Sequence, residues 1–173
     1  MIDYVFLAGI HGVGKSTLAN KINNEYSIFQ KSISDLIRQS GKRIEKNQKS
    51  TSDIDNNQLL WKETLNNLSI GDKLLILDGH FSLLNEEKKI VPLPFTTFNG
   101  TGMKKIILKT EKPEIIQERL RVRDNRIYSI EKIKKFQRVE EERANLYSKI
   151  SSIPIFIYDN DNCFSNLIKF IEK

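Results

Sequence analysis

The chain has 173 residues, with 28 Lys+Arg against 22 Asp+Glu for a net charge of +6, and 29% of its residues are charged. A chain of this length can bury a core without staples, so whole-chain disorder is excluded and one domain is expected. The lone cysteine, Cys163, excludes a disulfide framework, and no apolar run approaches the roughly 20 residues of a membrane helix.

The opening residues Met1-Ile2-Asp3-Tyr4 carry no basic segment of the secretory kind, so a cytoplasmic protein without a membrane partner is expected. The excess of +6 suits a small polyanion such as a nucleotide, a nucleic acid, or a solvated lysine-rich surface. Where the arginines sit decides more than the sum.

Residues 2–8 (IDYVFLA) form a short β-branched and aromatic run that reads as a buried strand. Gly9-Ile10-His11-Gly12-Val13-Gly14-Lys15-Ser16-Thr17 follows and fits G-x-x-x-x-G-K-[ST]. Here a strand must turn sharply into a helix while its amides face phosphate oxygens. Glycine permits those dihedrals and the close approach, and the start of the helix adds partial positive charge. Lys15 is expected to reach the β- and γ-phosphates, and the Ser16 hydroxyl to ligate Mg²⁺. Gly9, His11, Gly12, Val13, Gly14, Lys15, Ser16 and Thr17 are the expected nucleoside-triphosphate site. Leu18, Ile22 and Tyr26 recur at helical spacing behind it.

A second strand is expected near 26–30 and a short helix over 33–38. That helix carries Asp35 and Arg38, and Arg38 suits the phosphate of an acceptor. The alternative is a plain surface helix. Residues 41–52 (GKRIEKNQKSTS) are almost free of apolar side chains and read as a loop or linker. A helical stripe covers 53–68, through Ile54, Leu59, Leu60, Trp61, Leu65 and Leu68.

Residues 73–77 (KLLIL) are a buried strand closed by Asp78-Gly79-His80. An apolar strand ending in Asp places a carboxylate where it holds Mg²⁺, directly or through water; a simple strand-end cap is the alternative. His11 and His80 are the only histidines, and each sits in one of the two motifs. His80 is a candidate to relay a proton, contact substrate or pack against the glycine loop.

Residues 90–102 hold two of the four prolines, Pro92 and Pro94, and read as an irregular loop. A strand over 105–108 and a helix over 113–120 come next. Arg119, Arg121, Arg123 and Arg126 then fall within eight residues (RLRVRDNR). Arg119 and Arg123 share a face if the helix continues. Guanidinium groups brought over a transferring phosphoryl group would stabilise its charge. A solvated face paired with Glu118 and Asp124 is the alternative. Nucleic-acid binding is disfavoured, because no aromatic for base stacking occurs in this stretch before Tyr128. A long amphipathic helix over 130–150, a strand over 153–158 and a helix over 164–171 complete the chain. Continuous apolar strands alternating with helices argue for a parallel sheet covered on both faces.

The glycine loop, Asp35-Leu36-Ile37-Arg38, Asp78-Gly79-His80, the proline-rich loop, the arginine cluster and the final Tyr158-Asp159-Asn160-Asp161-Asn162 together resemble P-loop nucleoside monophosphate kinases, most of all archaeal-type adenylate kinases and their nuclear relatives. The resemblance runs over about residues 2–171. It implies an α/β, three-layer P-loop NTPase fold, with a five-stranded parallel sheet of order 2-3-1-4-5 between helices. It also implies reversible phosphoryl transfer from Mg-ATP to a nucleoside monophosphate. Lys15, Asp78, Arg119, Arg123 and Arg126 would be catalytic, and Asp35, Arg38 and His80 would bind the acceptor. Ser16 and Asp78 would ligate the metal, and the loop 159–163 would lie near the adenine. A single domain is expected, with core segments 1–31, 72–118 and 131–173, an acceptor flap over about 32–71 and an arginine-rich lid over about 119–130. Two departures from the pattern stand out. The family's arginine after the Asp-Gly strand tip is absent from Asp78-Gly79-His80-Phe81-Ser82, and Ile33 replaces a threonine. They keep open an ATP-hydrolysing regulatory or assembly factor, or a kinase of another small acceptor.

Overall fold

A computed structural model describes residues 1–39, 61–85, 87–124, 127–159 and 164–173. The central strand β1 (Asp3–Ala8) is buried from Tyr4 onward, as a strand covered on both faces must be. Around it lie β2 (Ile28–Ser32), β3 (Leu74–Gly79), β6 (Gly102–Lys109) and β7 (Ile155–Tyr158). Together they form a five-stranded sheet in the order β2-β3-β1-β6-β7, with every pair parallel. Counting only the strands of this sheet, that is the expected 2-3-1-4-5.

The two further strands, β4 (Ser82–Leu84) and β5 (Ile90–Pro92), pair antiparallel as a separate hairpin. A 3₁₀ turn at Phe95–Phe98 follows. Sequence periodicity missed this hairpin and gave an irregular loop over its second half, because three-residue strands are too short to show a period. The strand β2 starts two residues later than expected. The strand β6 reaches beyond 105–108 at both ends: Lys109 still pairs with Tyr158, and before Lys105 the register with β1 shifts past Lys104 and resumes at Met103.

Successive side chains of β1 point to opposite faces and seed two cores. Tyr4, Phe6 and Ala8 pack with Leu36, Trp61, Phe81, Phe98, Ala144 and Tyr147. Val5 and Leu7 pack with Leu18, Ala19, Ile22, Leu167 and Ile171. The first layer is therefore built by α2 (Ile33–Gln39), a helix α3 that includes residues 61–66, and α5 (Ile130–Ser151). The second is built by α1 (Lys15–Asn23) and α6 (Phe164–Glu172). A third cluster joins Ile10 and Val13 of the glycine loop to Ile116 and Leu120 of α4 (Pro113–Asp124) and to Ile133 and Phe136 of α5. Val13 thus anchors the loop through its side chain. Among the described residues no helix is long and apolar enough to cross a membrane. The expected linker 41–52, Arg126 and Cys163 lie outside the described residues.

Candidate functional site

In a parallel sheet with helices on both faces, ligands gather outside the carboxyl ends of the strands. Here that edge carries Ala8, Ser32, Gly79, Lys109 and Tyr158. The chain leaves β1 through Gly9, at φ +142°, where an added Cβ would lie 2.6 Å from the Lys109 carbonyl oxygen. It enters α1 through Gly14, which is left-handed at φ 97° and offers no side-chain cap. Leu18 N–H donates to the Gly14 carbonyl at 3.0 Å, so the amides before it have no partner within the helix. No acidic residue sits in this first turn, and the Ser16 and Thr17 side chains are exposed beside it. These features suit an anionic ligand.

Lys15 is only 8% exposed. Its ammonium donates to the Gly9 carbonyl at 2.6 Å and lies 3.5 Å from Asp78 Oδ1. Burial pulls its pKa below the usual lysine value, opposed by the charges of Asp78 and Glu140. Burial pushes Asp78 up, opposed by Lys15. Each charge therefore favours the ionised form of the other, against the burial that opposes it. The tip of β3 brings a second contact, with the His80 ring 4.4 Å from the His11 ring and tilted by 49°. The one histidine packs on the other, so His80 rests on the glycine loop.

The arginines divide by helix face. The Arg119 guanidinium donates to the carbonyls of Val13 at 3.1 Å and Gly12 at 3.3 Å, directly over the loop. It is held there by the buried carboxylate of Glu111 at 3.4 Å. Arg123, one turn on, is close enough to Lys15 for its charge to depress that lysine further. Arg121 points elsewhere and forms two hydrogen bonds to Glu118, at 2.8 and 2.7 Å. All three belong to α4 itself, which runs on to Asp124 rather than ending at 120.

On the other side of the sheet edge, Ser32 and Asp35 cap α2 reciprocally. Asp35 N–H donates to Ser32 Oγ at 3.0 Å and Ser32 N–H donates to Asp35 Oδ2 at 3.4 Å, which is a capping box with Asp in place of Glu, and the Ser32 hydroxyl donates to the same oxygen at 2.7 Å. Arg38 is ion-paired to Asp35 on an exposed surface. Ser32 pairs in register with Asp78, so this helix start adjoins the site.

Four polar residues here had escaped sequence reading. Glu140, on α5, is 1% exposed. It accepts from the Phe81 amide at 2.8 Å and the Ser82 hydroxyl at 2.6 Å. Gln137, one turn earlier, exchanges two hydrogen bonds of 3.0 Å with the backbone of Glu111. Lys109 lies 3.7 Å from Glu111. Only Glu140 left a readable signal: it falls on the buried stripe Ile133, Phe136, Ala144, Tyr147 of α5, where a charge is out of place. Among the described residues no group of three or more His, Cys, Asp or Glu could hold a metal. The Asp78 carboxylate and Ser16 hydroxyl are nonetheless hard oxygen donors of the kind Mg²⁺ takes when phosphate supplies the rest.

A family profile described as AAA domain matches residues 8–137. Among solved structures, a gluconokinase from Sinorhizobium meliloti 1021 is similar at 11% identity and a TM-score of 0.50, covering 96% of this chain and 87% of that one. That likeness is one of fold. No curated protein matches the chain.

Proposed function

The chain belongs to the AAA domain family, and from that premise we propose that it is an ATP-dependent small-molecule kinase acting on a nucleoside monophosphate. One observation carries the reading: cations converge on a single loop from two sides. Lys15 reaches it from below, and α4 lays Arg119 across the Gly12 and Val13 carbonyls from above. A site that only gripped a triphosphate would not need the second set. Phosphoryl transfer does, because charge spreads over the moving group in the transition state.

In this reading the loop amides and Lys15 bind the ATP phosphates. Ser16 and Asp78 would hold Mg²⁺, which when bound neutralises charge on the β- and γ-oxygens. Arg119 and Arg123 stabilise the equatorial oxygens as the acceptor oxygen bonds to the γ-phosphorus and the bond to the β-phosphate oxygen breaks, with ADP leaving. Arg126 belongs to the same proposal by its place in the sequence. The acceptor would lie between the β3 tip and α2, near His80, Asp35 and Arg38, and the resemblance to nucleoside monophosphate kinases supports a monophosphate there. One observation favours a second reading, a kinase of a hydroxyl acceptor: Asp35 already engages Arg38, and an imidazole lies at the β3 tip.

The test is a coupled assay of purified protein with ATP and Mg²⁺ against a panel of nucleoside monophosphates, nucleosides and sugar acids, and with no acceptor. Turnover with a monophosphate is expected. Turnover only with hydroxyl acceptors would replace the acceptor, and hydrolysis alone would replace the kinase by an ATPase.

A further inference from the structure

The chain buries a carboxylate that the phosphate-binding machinery above does not use. Glu140 lies in the middle of α5 and is 1% exposed. A carboxylate that deep costs heavily unless its oxygens are matched by donors. They are: Phe81 N–H reaches Oε1 at 2.8 Å and the Ser82 hydroxyl reaches Oε2 at 2.6 Å, and the Ser82 amide donates as well. All three donors come from the two residues that follow Asp78-Gly79-His80. Ser82 is itself fully buried and opens the hairpin. The positive charge of Lys15 acts to favour its ionised form.

A carboxylate gripping two consecutive residues fixes the chain direction at that point. Asp78 and His80 lie just before it, and Asp78 meets Lys15 while His80 meets His11. We propose that Glu140 is a positioning residue for phosphoryl transfer, holding the β3 tip so that Asp78 and His80 keep their places against Lys15 and the glycine loop. This rests on the kinase reading for its consequence in catalysis, but not for its consequence in geometry. It also gives α5 a division of labour. Gln137 ties the helix to the end of β6 through Glu111, and Glu140 ties it to the end of β3.

The experiment uses the full chain with Glu140→Gln, which keeps one acceptor and the volume, with Ser82→Ala, which removes one donor, and with the double variant. Glu140→Gln is expected to lower kcat by tenfold to a hundredfold, on the order that small displacements of reacting groups produce. ATP affinity by calorimetry should change by less than about threefold, since the loop amides are untouched. Ser82→Ala should lower kcat in the same sense, and the double variant should lose less than the product of the two, because both act through one contact. Equal losses in kcat and ATP affinity, or strictly multiplicative effects, would overturn the proposal.

A second readout needs no turnover. With only two histidines, His11 and His80, their ring signals can be assigned by NMR using His11→Asn. Glu140→Gln should shift the His80 signals, whereas Gln137→Leu, on the same helix but tied to the other strand, should leave them in place. Unmoved His80 signals in Glu140→Gln would sink the positioning role even if the wild type phosphorylates nothing. Shifted signals with an inactive wild type would keep the geometry and discard the kinase.

Discussion

The two flanks of the sheet edge are made in different ways. The phosphate flank is nine consecutive residues, Gly9 to Thr17, whose hydrogen bonds are mostly local, including Val13 to Ile10 and Leu18 to Gly14. The proposed acceptor flank is assembled from the start of α2, the tip of β3, the hairpin and the middle of α5, with contacts such as Phe81 to Glu140 that span 59 residues. A local loop owes its shape to its own glycines. An assembled flank owes its shape to whatever packs behind it, so single substitutions should act on the two sides with different reach.

The largest expected effect is Lys15→Ala. It removes the cation that pairs with Asp78 and that the proposed triphosphate site would use, and turnover should fall by at least ~10²-fold, with the far-ultraviolet circular dichroism unchanged. Wild-type turnover in that variant would erase the distinction between a catalytic flank and a supporting one.

Gly9→Ala comes next and probes how self-contained the loop is. At φ +142°, with 2.6 Å to a backbone oxygen, neither the new methyl nor its neighbour can move aside. A loss of about 1–3 kcal/mol in urea unfolding is expected. A loss near zero would mean that the loop relaxes freely and that β6 does not confine it.

The arginines give a sharper contrast within one helix. Arg123→Ala should cut turnover about tenfold or more, while Arg121→Ala should leave it within about twofold, since its partner is the exposed Glu118. Equal effects would show that α4 acts as a diffuse basic surface and not through one face.

The smallest expected effect is on the acceptor flank. Ser32→Ala removes the cap of α2 and should cost about 1 kcal/mol of stability. It should raise the KM of the acceptor and leave ATP affinity as it was. A change in ATP affinity instead would move α2 to the phosphate side of the comparison.

The Gly9–Thr17 motif was legible because its chemistry is contiguous: the glycines, Lys15 and Ser16 stand at fixed spacing between a strand and a helix, and the structure places them so. Arg119 and Arg123 were legible as a pair by their spacing of four, which α4 realises. Arg38 was read as a candidate for an acceptor phosphate, whereas its pairing with Asp35, the residue that caps α2, emerges only from the folded helix start. The hairpin at 82–92 was hidden because its strands are short. Glu111 and Gln137 carried no signal at all, since nothing in their neighbourhood along the chain announces what lies 26 residues away.

By itself, then, the order of residues determined the alternation of apolar strands with helices, and with it the parallel sheet and the phosphate loop, because burial patterns and backbone freedom act over a few neighbours. Folding in three dimensions decided which arginines face the loop, which histidine rests on it and which buried carboxylates hold the strand ends. Those outcomes depend on charges drawn together from distant segments, of which Lys15, Glu111 and Glu140 are buried, so that each must find a partner or pay for its burial.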